Sequence, residues 1–237
     1  MKRYFKRVLV FIAAFLILLL GAGLLYYYPM LIMPSVKTGR VPNADIYTAN
    51  AMSAVYLINT NNGYIMIDAG LSVKGLQKSL NEVMIDPDDV RWIFLTHSDG
   101  DHVNGLTLFP NAAVYMNEDE LQLINGSAKR SIFGGTSMPS GFDISKINTL
   151  NNNQELLFNE VKIKCIKAPG HTLGSMVYLV NDKFLFTGDV LMIKKSNNTV
   201  HPYSMDKKSS TQTIEQLKAI IENSSIIFTS HYGLIFN

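Results

Sequence analysis

Thr96–Gly105 reads T-H-S-D-G-D-H-V-N-G, and four residues that bind divalent metals, His97, Asp99, Asp101 and His102, fall within six positions of it. The chain has only five histidines in 237 residues, so two in one loop is a concentration. Two more open turn-like sequences: His171 in A-P-G-H-T-L-G-S and His231 in F-T-S-H-Y-G. Asp189 lies in L-F-T-G-D-V. Neutral imidazole and carboxylate are ligands that zinc, iron and manganese accept. A single His or Asp in a turn is ordinarily a solvated or capping residue, but a turn has no need of two of each. The decapeptide overlaps the end of R-W-I-F-L-T, an apolar run that reads as a buried strand. The ligands therefore leave a strand at its carboxyl end, where open α/β sheets place their sites. A fold that uses them must bring four separated segments together.

The ordered set resembles the metallo-β-lactamase superfamily, whose signature is H-x-H-x-D-H, then a distant His, a bridging Asp and a final His. His97, Asp101, His102, His171, Asp189 and His231 match in order, and I-D-A-G around Asp68, P-G-H-T at 169–172 and T-G-D at 187–189 are similar to the family as well. The likeness covers roughly 44–237. It implies a four-layer αββα sandwich and a pair of divalent ions. One ion would be held by His97, Asp99 and His171, the other by Asp101, His102 and His231, with Asp189 between them. Asp68 would orient a metal-binding histidine. Two ions sharing a hydroxide would generate a nucleophile at neutral pH, with Asp101 orienting it.

The departure from the motif is Asp99, which stands where the family has His. H-x-D-x-D-H resembles the corresponding domain of competence-type DNA-uptake proteins, and di-iron flavoproteins of the superfamily also carry a carboxylate there. Three carboxylates and a hydroxide would neutralise two divalent ions. The harder oxygen ligand moves preference from zinc toward iron or manganese. Zinc remains the first expectation, with those two as alternatives.

Val8–Tyr28 is 21 residues without a charge, and the next charged residue is Lys37. At about 1.5 Å per residue this spans a hydrocarbon core of roughly 30 Å. Tyr26, Tyr27 and Tyr28 would form an interfacial belt, and Pro29 would end the helix. Lys2, Arg3, Lys6 and Arg7 precede the run without an acidic partner, which keeps residues 1–7 in the cytoplasm and sends the larger domain across. A signal peptide would have a shorter apolar core of about 7–15 residues, so an uncleaved anchor in the cell membrane is the expectation. No cysteine follows to support lipoprotein processing.

Four of the 21 basic residues lie in the first seven positions, which leaves 17 against 19 acidic residues in the remainder. That balance offers nucleic acid no overall attraction and weakens a nuclease reading. Lys162, Lys164 and Lys167 read as a solvated strand face. Cys165, the one cysteine, reads as a small inward hydrophobe.

The organisation expected is a tail (1–7), an anchor (8–28), a Pro-punctuated linker (29–45) and one α/β domain (46–237). Strands are expected near 53–59, 63–68, 91–96, 112–116, 155–158, 161–167, 175–180, 184–187 and 225–229, with helices near 73–84, 117–125 and 210–222. Residues 125–145 and 193–209 are expected to set specificity. His201 and Tyr203 are candidate substrate contacts, although His201 reads equally well as a surface-loop residue, and Thr172 and Ser175 read as turn caps. The chain ends six residues after His231, which leaves no helical domain of the kind glyoxalase II enzymes use for glutathione. Three classes stand: a hydrolase of small esters, lactones, thioesters or phosphoesters; a phosphodiesterase or nuclease; and a di-iron redox protein needing a flavoprotein partner.

Overall fold

The computed structural model describes residues 2–31, 36–130, 136, 138–194 and 197–237. They fall into two compact units, Met1–Pro34 and Ser35–Asn237.

The first unit is one helix, α1 (Lys2–Leu31). Its Lys6–Leu25 stretch is long and apolar enough to cross a membrane, with a mean hydropathy of 3.0. Val10, Phe11, Phe15 and Leu20, which point in different directions around the helix, are each more than 60 % exposed, so its surface is apolar all round. The helix runs two residues past Pro29. Proline removes one N–H donor but has a helical φ, so near a helix end it costs a bond without forcing a stop. The side chains of Tyr26, Tyr27 and Tyr28, read above as an interfacial belt, lie outside the described residues.

The second unit is built on two sheets. One has seven strands in chain order: β1 (Gly39–Arg40), β2 (Ile46–Ala51), β3 (Ser53–Thr60), β4 (Gly63–Ile67), β5 (Val90–Phe94), β6 (Ala113–Asn117) and β7 (Ile147–Leu150). Pairing is antiparallel from β1 to β4 and parallel from β4 to β7. The chain then lays down β8 (Gln154–Phe158), β9 (Val161–Lys167), β10 (Met176–Val180) and β11 (Phe184–Gly188). A small ribbon of β12 (Met192–Lys194) and β13 (Asn197–Thr199) follows, and then β14 (Ile226–Thr229) and β15 (Leu234–Phe236). The second sheet orders these as β15-β14-β11-β10-β9-β8.

Side chains in a strand alternate between faces, and here both faces are apolar. Ile65, Ile67, Tyr56 and Phe94 of the first sheet meet Ile163, Cys165, Met176, Tyr178, Phe186 and Phe228 of the second in one buried cluster. Cys165 is thus inward, as its alternation with lysines predicts. Met66, Val55, Leu57 and Ile93 point the other way and are covered by Leu76 and Leu80. Those leucines are four residues apart on α2 (Val73–Glu82), whose first turn is capped by Ser72 accepting from the Gly75 amide. On the far face of the second sheet, Val177, Leu185 and Ile227 pack with Leu217 and Ile221 of α5 (Lys207–Asn223). Asp206 caps that helix through the Lys208 and Ser209 amides. The result is the four-layer αββα sandwich. Each buried leucine contributes about 1.5–3 kcal/mol.

The folded unit begins before residue 46. Val36, Val41 and Ala44, inside the stretch expected to be a linker, are buried in the inter-sheet cluster, and Gly39–Arg40 pairs with β2. The lysine face is solvated at its edge and carries ion pairs, Lys162 with Asp182 and Lys167 with Asp119.

Candidate metal centre

The strand before the ligand loop ends at Phe94, and a backbone tie from Met176 N to the Thr96 carbonyl (2.9 Å) fastens the loop's start to the second sheet. His97 and Asp99 follow, Asp99 in extended backbone. Asp101 and His102 lie on α3 (Gly100–Val103), a single helical turn. This turn is docked on residues 68–70, with Ala69 N donating to the His102 carbonyl at 2.7 Å. The approach requires glycine at 105, where a Cβ would stand 2.0 Å from the Ala69 carbonyl oxygen. Asp189 follows β11 after Gly188, a left-handed residue at φ +54°. His231 follows β14, whose end is tied across by Ala54 N donating to Ser230 O.

Asp189 joins the two halves of the site. Its Oδ1 lies 3.7 Å from His102 Nε2 and 3.5 Å from His231 Nε2. Its Oδ2 lies 3.6 Å from His171 Nε2 and 3.7 Å from His201 Nε2. Asp101 Oδ2 is 3.1 Å from His231 Nε2 and 3.6 Å from His102 Nε2. On the other side, Asp99 Oδ2 is 3.5 Å from His97 Nε2 and 3.2 Å from His171 Nε2. Two groupings have the membership expected from the sequence, His97–Asp99–His171 and Asp101–His102–His231.

The donor set fits divalent metal. Ligands about 2.1 Å from one ion at tetrahedral corners stand roughly 3.4 Å apart, and the separations above cluster near that value. Apart from Asp101–His231 at 3.1 Å and Asp99–His171 at 3.2 Å, these are too long for good hydrogen bonds, and His97 Nε2, His102 Nε2 and Asp189 Oδ1 are buried with no hydrogen-bond partner. Buried polar atoms are normally paired, so convergent orphans mark a place for a cation.

Asp68 sits at φ +59°, a left-handed conformation that costs energy for a non-glycine residue. That conformation is fixed by function-bearing bonds. Its Oδ1 accepts from Thr96 N at 2.8 Å, and Oδ2 accepts from Thr96 Oγ1 at 2.8 Å and faces His102 Nδ1 at 2.8 Å. With Nδ1 thus held, His102 presents Nε2 to the centre.

Electrostatics differ across the site. Burial alone would push the His102 imidazole down, but Asp68, Asp101 and Asp189 around it raise it to about 10. The same opposition, with Asp189 and Asp101 prevailing, holds His231 well above its usual value. His171 and His201 go the other way: burial lowers them to about 3 and about 4. Asp101 is lowered to about 2, its neighbours His102 and His231 overcoming burial.

Three residues invisible in the sequence pattern shape the centre. Arg130, within the irregular 125–145 segment, has a side chain only 4 % exposed and stands 2.6 Å from Asp99 Oδ2. Glu120 is fully buried and accepts from Ser98 N, Ser98 Oγ, Thr172 Oγ1 and Gly174 N at 2.7–2.9 Å. It clamps the His97 loop to the His171 loop. Tyr232, next to His231, has its ring 6.1 Å from that of His201, and burial raises its hydroxyl above the ordinary range. Neither Glu120 in N-E-D-E-L nor Arg130 in A-K-R-S carries a motif. Thr172 and Ser175 cap the turn, Oγ to Oγ at 2.7 Å. Of the two candidate substrate contacts, Tyr203 gives its carbonyl to Arg130 at 3.2 Å. His201 is 2 % exposed, so it is not a surface-loop residue: it lies inside the centre, among His171 and Asp189.

Residues 50–231 match the family described as the metallo-beta-lactamase superfamily. Among curated proteins, the chain is 28 % identical over 130 residues to a "probable polyketide biosynthesis zinc-dependent hydrolase" of Bacillus subtilis, covering 54 % of this chain and 49 % of that one. It is 25 % identical over 163 residues to a "probable metallo-hydrolase" of Methanocaldococcus jannaschii, covering 67 % and 65 %. The matches thus span about half to two thirds of the relatives' length. A solved B3 metallo-beta-lactamase with an active-site glutamic acid superposes with a TM-score of 0.62 at 19 % identity, over 84 % of this chain and 79 % of that one. An archaeal superfamily protein from Sulfolobus tokodaii gives 0.58 at 23 % identity, over 82 % of each.

Proposed function

This chain belongs to the metallo-β-lactamase superfamily, and from that premise we propose that it is a membrane-anchored, metal-dependent hydrolase. It uses two divalent ions, zinc first among them, on a small ester, lactone, thioester or phosphoester. The observation that carries the reading is Asp189, whose two oxygens face different sets of ligands, His102 and His231 on one side and His171 on the other. When bound, such ions supply an acidified water and an electrophilic contact for the scissile carbonyl or phosphoryl oxygen.

The chain's own residues do the rest. Asp101 is the most open carboxylate of the centre, its side chain 26 % exposed, and so faces incoming substrate. Held near pKa 2, it stays a hydrogen-bond acceptor and orients the attacking water. Asp68 fixes the His102 ring, and the buried neighbours His97 and His171 exclude bulk water from the inner wall. The decisive measurement combines metal content of the full chain in detergent with turnover of ester, lactone, thioester and phosphodiester panels. Hydrolysis lost on chelation and restored by zinc is the expected result. Stoichiometric iron with a reversible redox signal and no hydrolysis would replace this reading with the di-iron one.

Proton release offers a check independent of substrate. In the metal-free chain His102 and His231 are held protonated at neutral pH by their carboxylate neighbours, while His171 and His201 are not. A metal must displace those protons, so affinity should fall as pH drops below about 10, the His102 value. Calorimetric titration with zinc at pH 7, in two buffers of different ionisation enthalpy, should report about two protons released. No buffer dependence would contradict it.

Anchoring is tested by topology. Protease added to intact spheroplasts of a bacterial host should digest the larger unit while cytoplasmic controls survive, and the membrane form should begin near Met1. A soluble form beginning near Leu24 would show a cleaved signal peptide; protection from protease would reverse the orientation.

A further inference from the structure

Arg130 stands where a cation is expected. One of its Nη atoms lies 2.6 Å from Asp99 Oδ2 and 3.1 Å from His171 Nε2, and it also donates to the Tyr203 carbonyl at 3.2 Å. Its other Nη donates to the His171 carbonyl at 2.6 Å. Four contacts and a nearly buried side chain fix the guanidinium in place. Charge-assisted bonds of this length are among the strong ones. Asp99 Oδ2 is thereby paired with an arginine that offsets its charge, while Asp99 Oδ1 is buried with no hydrogen-bond partner.

Beside His171, facing the same oxygen of Asp189, stands a second imidazole, His201. His201 is 2 % exposed, and both Nδ1 and Nε2 lack a hydrogen-bond partner. A neutral buried imidazole should make at least one bond. Its Nε2 is 3.7 Å from Asp189 Oδ2, and the His171 and His201 rings are 4.9 Å apart, nearly perpendicular. Donor atoms of His171, Asp189 and His201 lie within 4.8 Å of one another, the same criterion that the two sequence-expected groupings meet. The turn carrying His201 is strapped to the His171 loop by Met205 N donating to His171 O (3.1 Å) and Asp206 N donating to Gly170 O (3.0 Å). The two imidazoles are therefore positioned by one piece of backbone.

We propose that His201 is a ligand of the first ion, alongside His97, His171 and Asp189, and that Arg130 offsets the charge of Asp99. This rests on the metallo-hydrolase reading and changes its chemistry. With Asp99 and Arg130 cancelling each other, two ions face two carboxylates rather than three. With three imidazoles the first position favours zinc over manganese, against the pull of Asp99 toward harder ions.

The test is metal stoichiometry of the full chain in detergent, stripped with chelator and reloaded with cobalt(II). The absorption bands of the bound ion serve as a second readout. Wild type should take up two ions. His201→Ala should keep one, with first-site affinity down by about 10–100-fold or more and the tetrahedral cobalt bands reduced. The double variant Asp99→Asn/Arg130→Met removes both partners without leaving an unpaired charge, and should still hold two. Two ions in His201→Ala with unchanged bands would overturn the proposal, as would loss of an ion in the double variant. If His201→Ala does not fold, the double variant alone decides. A wild-type chain that binds one ion overturns it while leaving a metallo-hydrolase standing; one that binds none removes that reading too.

Discussion

Asp189→Ala should emerge from purification with neither ion bound, and hydrolysis should fall by at least about 10³-fold, the scale on which removing a catalytic metal acts. The reason is geometric. Asp189 is 5 % exposed, and its oxygens face opposite ways, Oδ1 toward His102 and His231 and Oδ2 toward His171 and His201. No other carboxylate among the described residues touches both sets. Alanine would leave the five imidazoles of the centre with one fewer anion to balance a divalent charge, and His102 and His231 would lose a group that now raises them. Asp68→Asn is the graded comparison. It keeps an acceptor for Thr96 but removes the charge facing His102 Nδ1, so it should weaken metal binding about 10–100-fold while leaving both ions bindable at high concentration. Wild-type metal content in Asp189→Ala would refute the bridging assignment, whatever its effect on turnover.

What the sequence discloses of this site and what it hides have a common cause. His97, Asp101, His102, His171, Asp189 and His231 are legible because each sits in a short segment whose neighbours are dictated by the same tight turn: Gly188 before Asp189, Gly170 before His171, Gly105 after α3. The sheets are legible where both faces of a strand are apolar, as in S-A-V-Y-L-I-N-T, or where apolar residues alternate with lysines, as in V-K-I-K-C-I-K. β2 (I-Y-T-A-N-A) and β7 (I-N-T-L) are not, because their residues are small or polar and become strands through pairing with β3 and β6. The same holds for β15, three residues beyond the His231 turn that pair with β14, and for the β12–β13 ribbon. Arg130, and the place of His201 inside the centre rather than at its rim, are hidden for a further reason. Each acquires its chemistry from a partner far along the chain, Asp99 for one and Asp189 for the other. A Gly- and Ser-rich loop around Arg130 gives no local sign of a burial that only the folded unit creates.

Glu120→Ala is expected to be the most destabilising single change outside the ligands, about 3–5 kcal/mol, against a total of roughly 5–15 kcal/mol for a domain. Glu120 is 0 % exposed and lies on a short 3-10 turn before α4 (Leu121–Ile124). One oxygen accepts from Ser98 N and Ser98 Oγ, the other from Thr172 Oγ1 and Gly174 N. Removing the carboxylate leaves four donors, two of them backbone amides, in a space that water does not reach. The cavity cannot close easily, because Gly174 is already in contact: a Cβ there would lie 2.4 Å from Glu120 N. Ser98 adjoins His97 and Thr172 adjoins His171, so the clamp sets the spacing of two histidines from different sheets. Loss of stability should therefore be accompanied by weaker metal retention, although Glu120 touches neither imidazole. Glu120→Gln keeps the volume and one acceptor but turns an amide N–H₂ toward two donors, and should fall between the two. Thermal unfolding of the full chain in detergent, followed by Trp92 fluorescence with and without zinc, reads both effects. A Glu120→Ala chain within about 1 kcal/mol of wild type, the size of an ordinary surface change, would show that the clamp does not hold the two loops together.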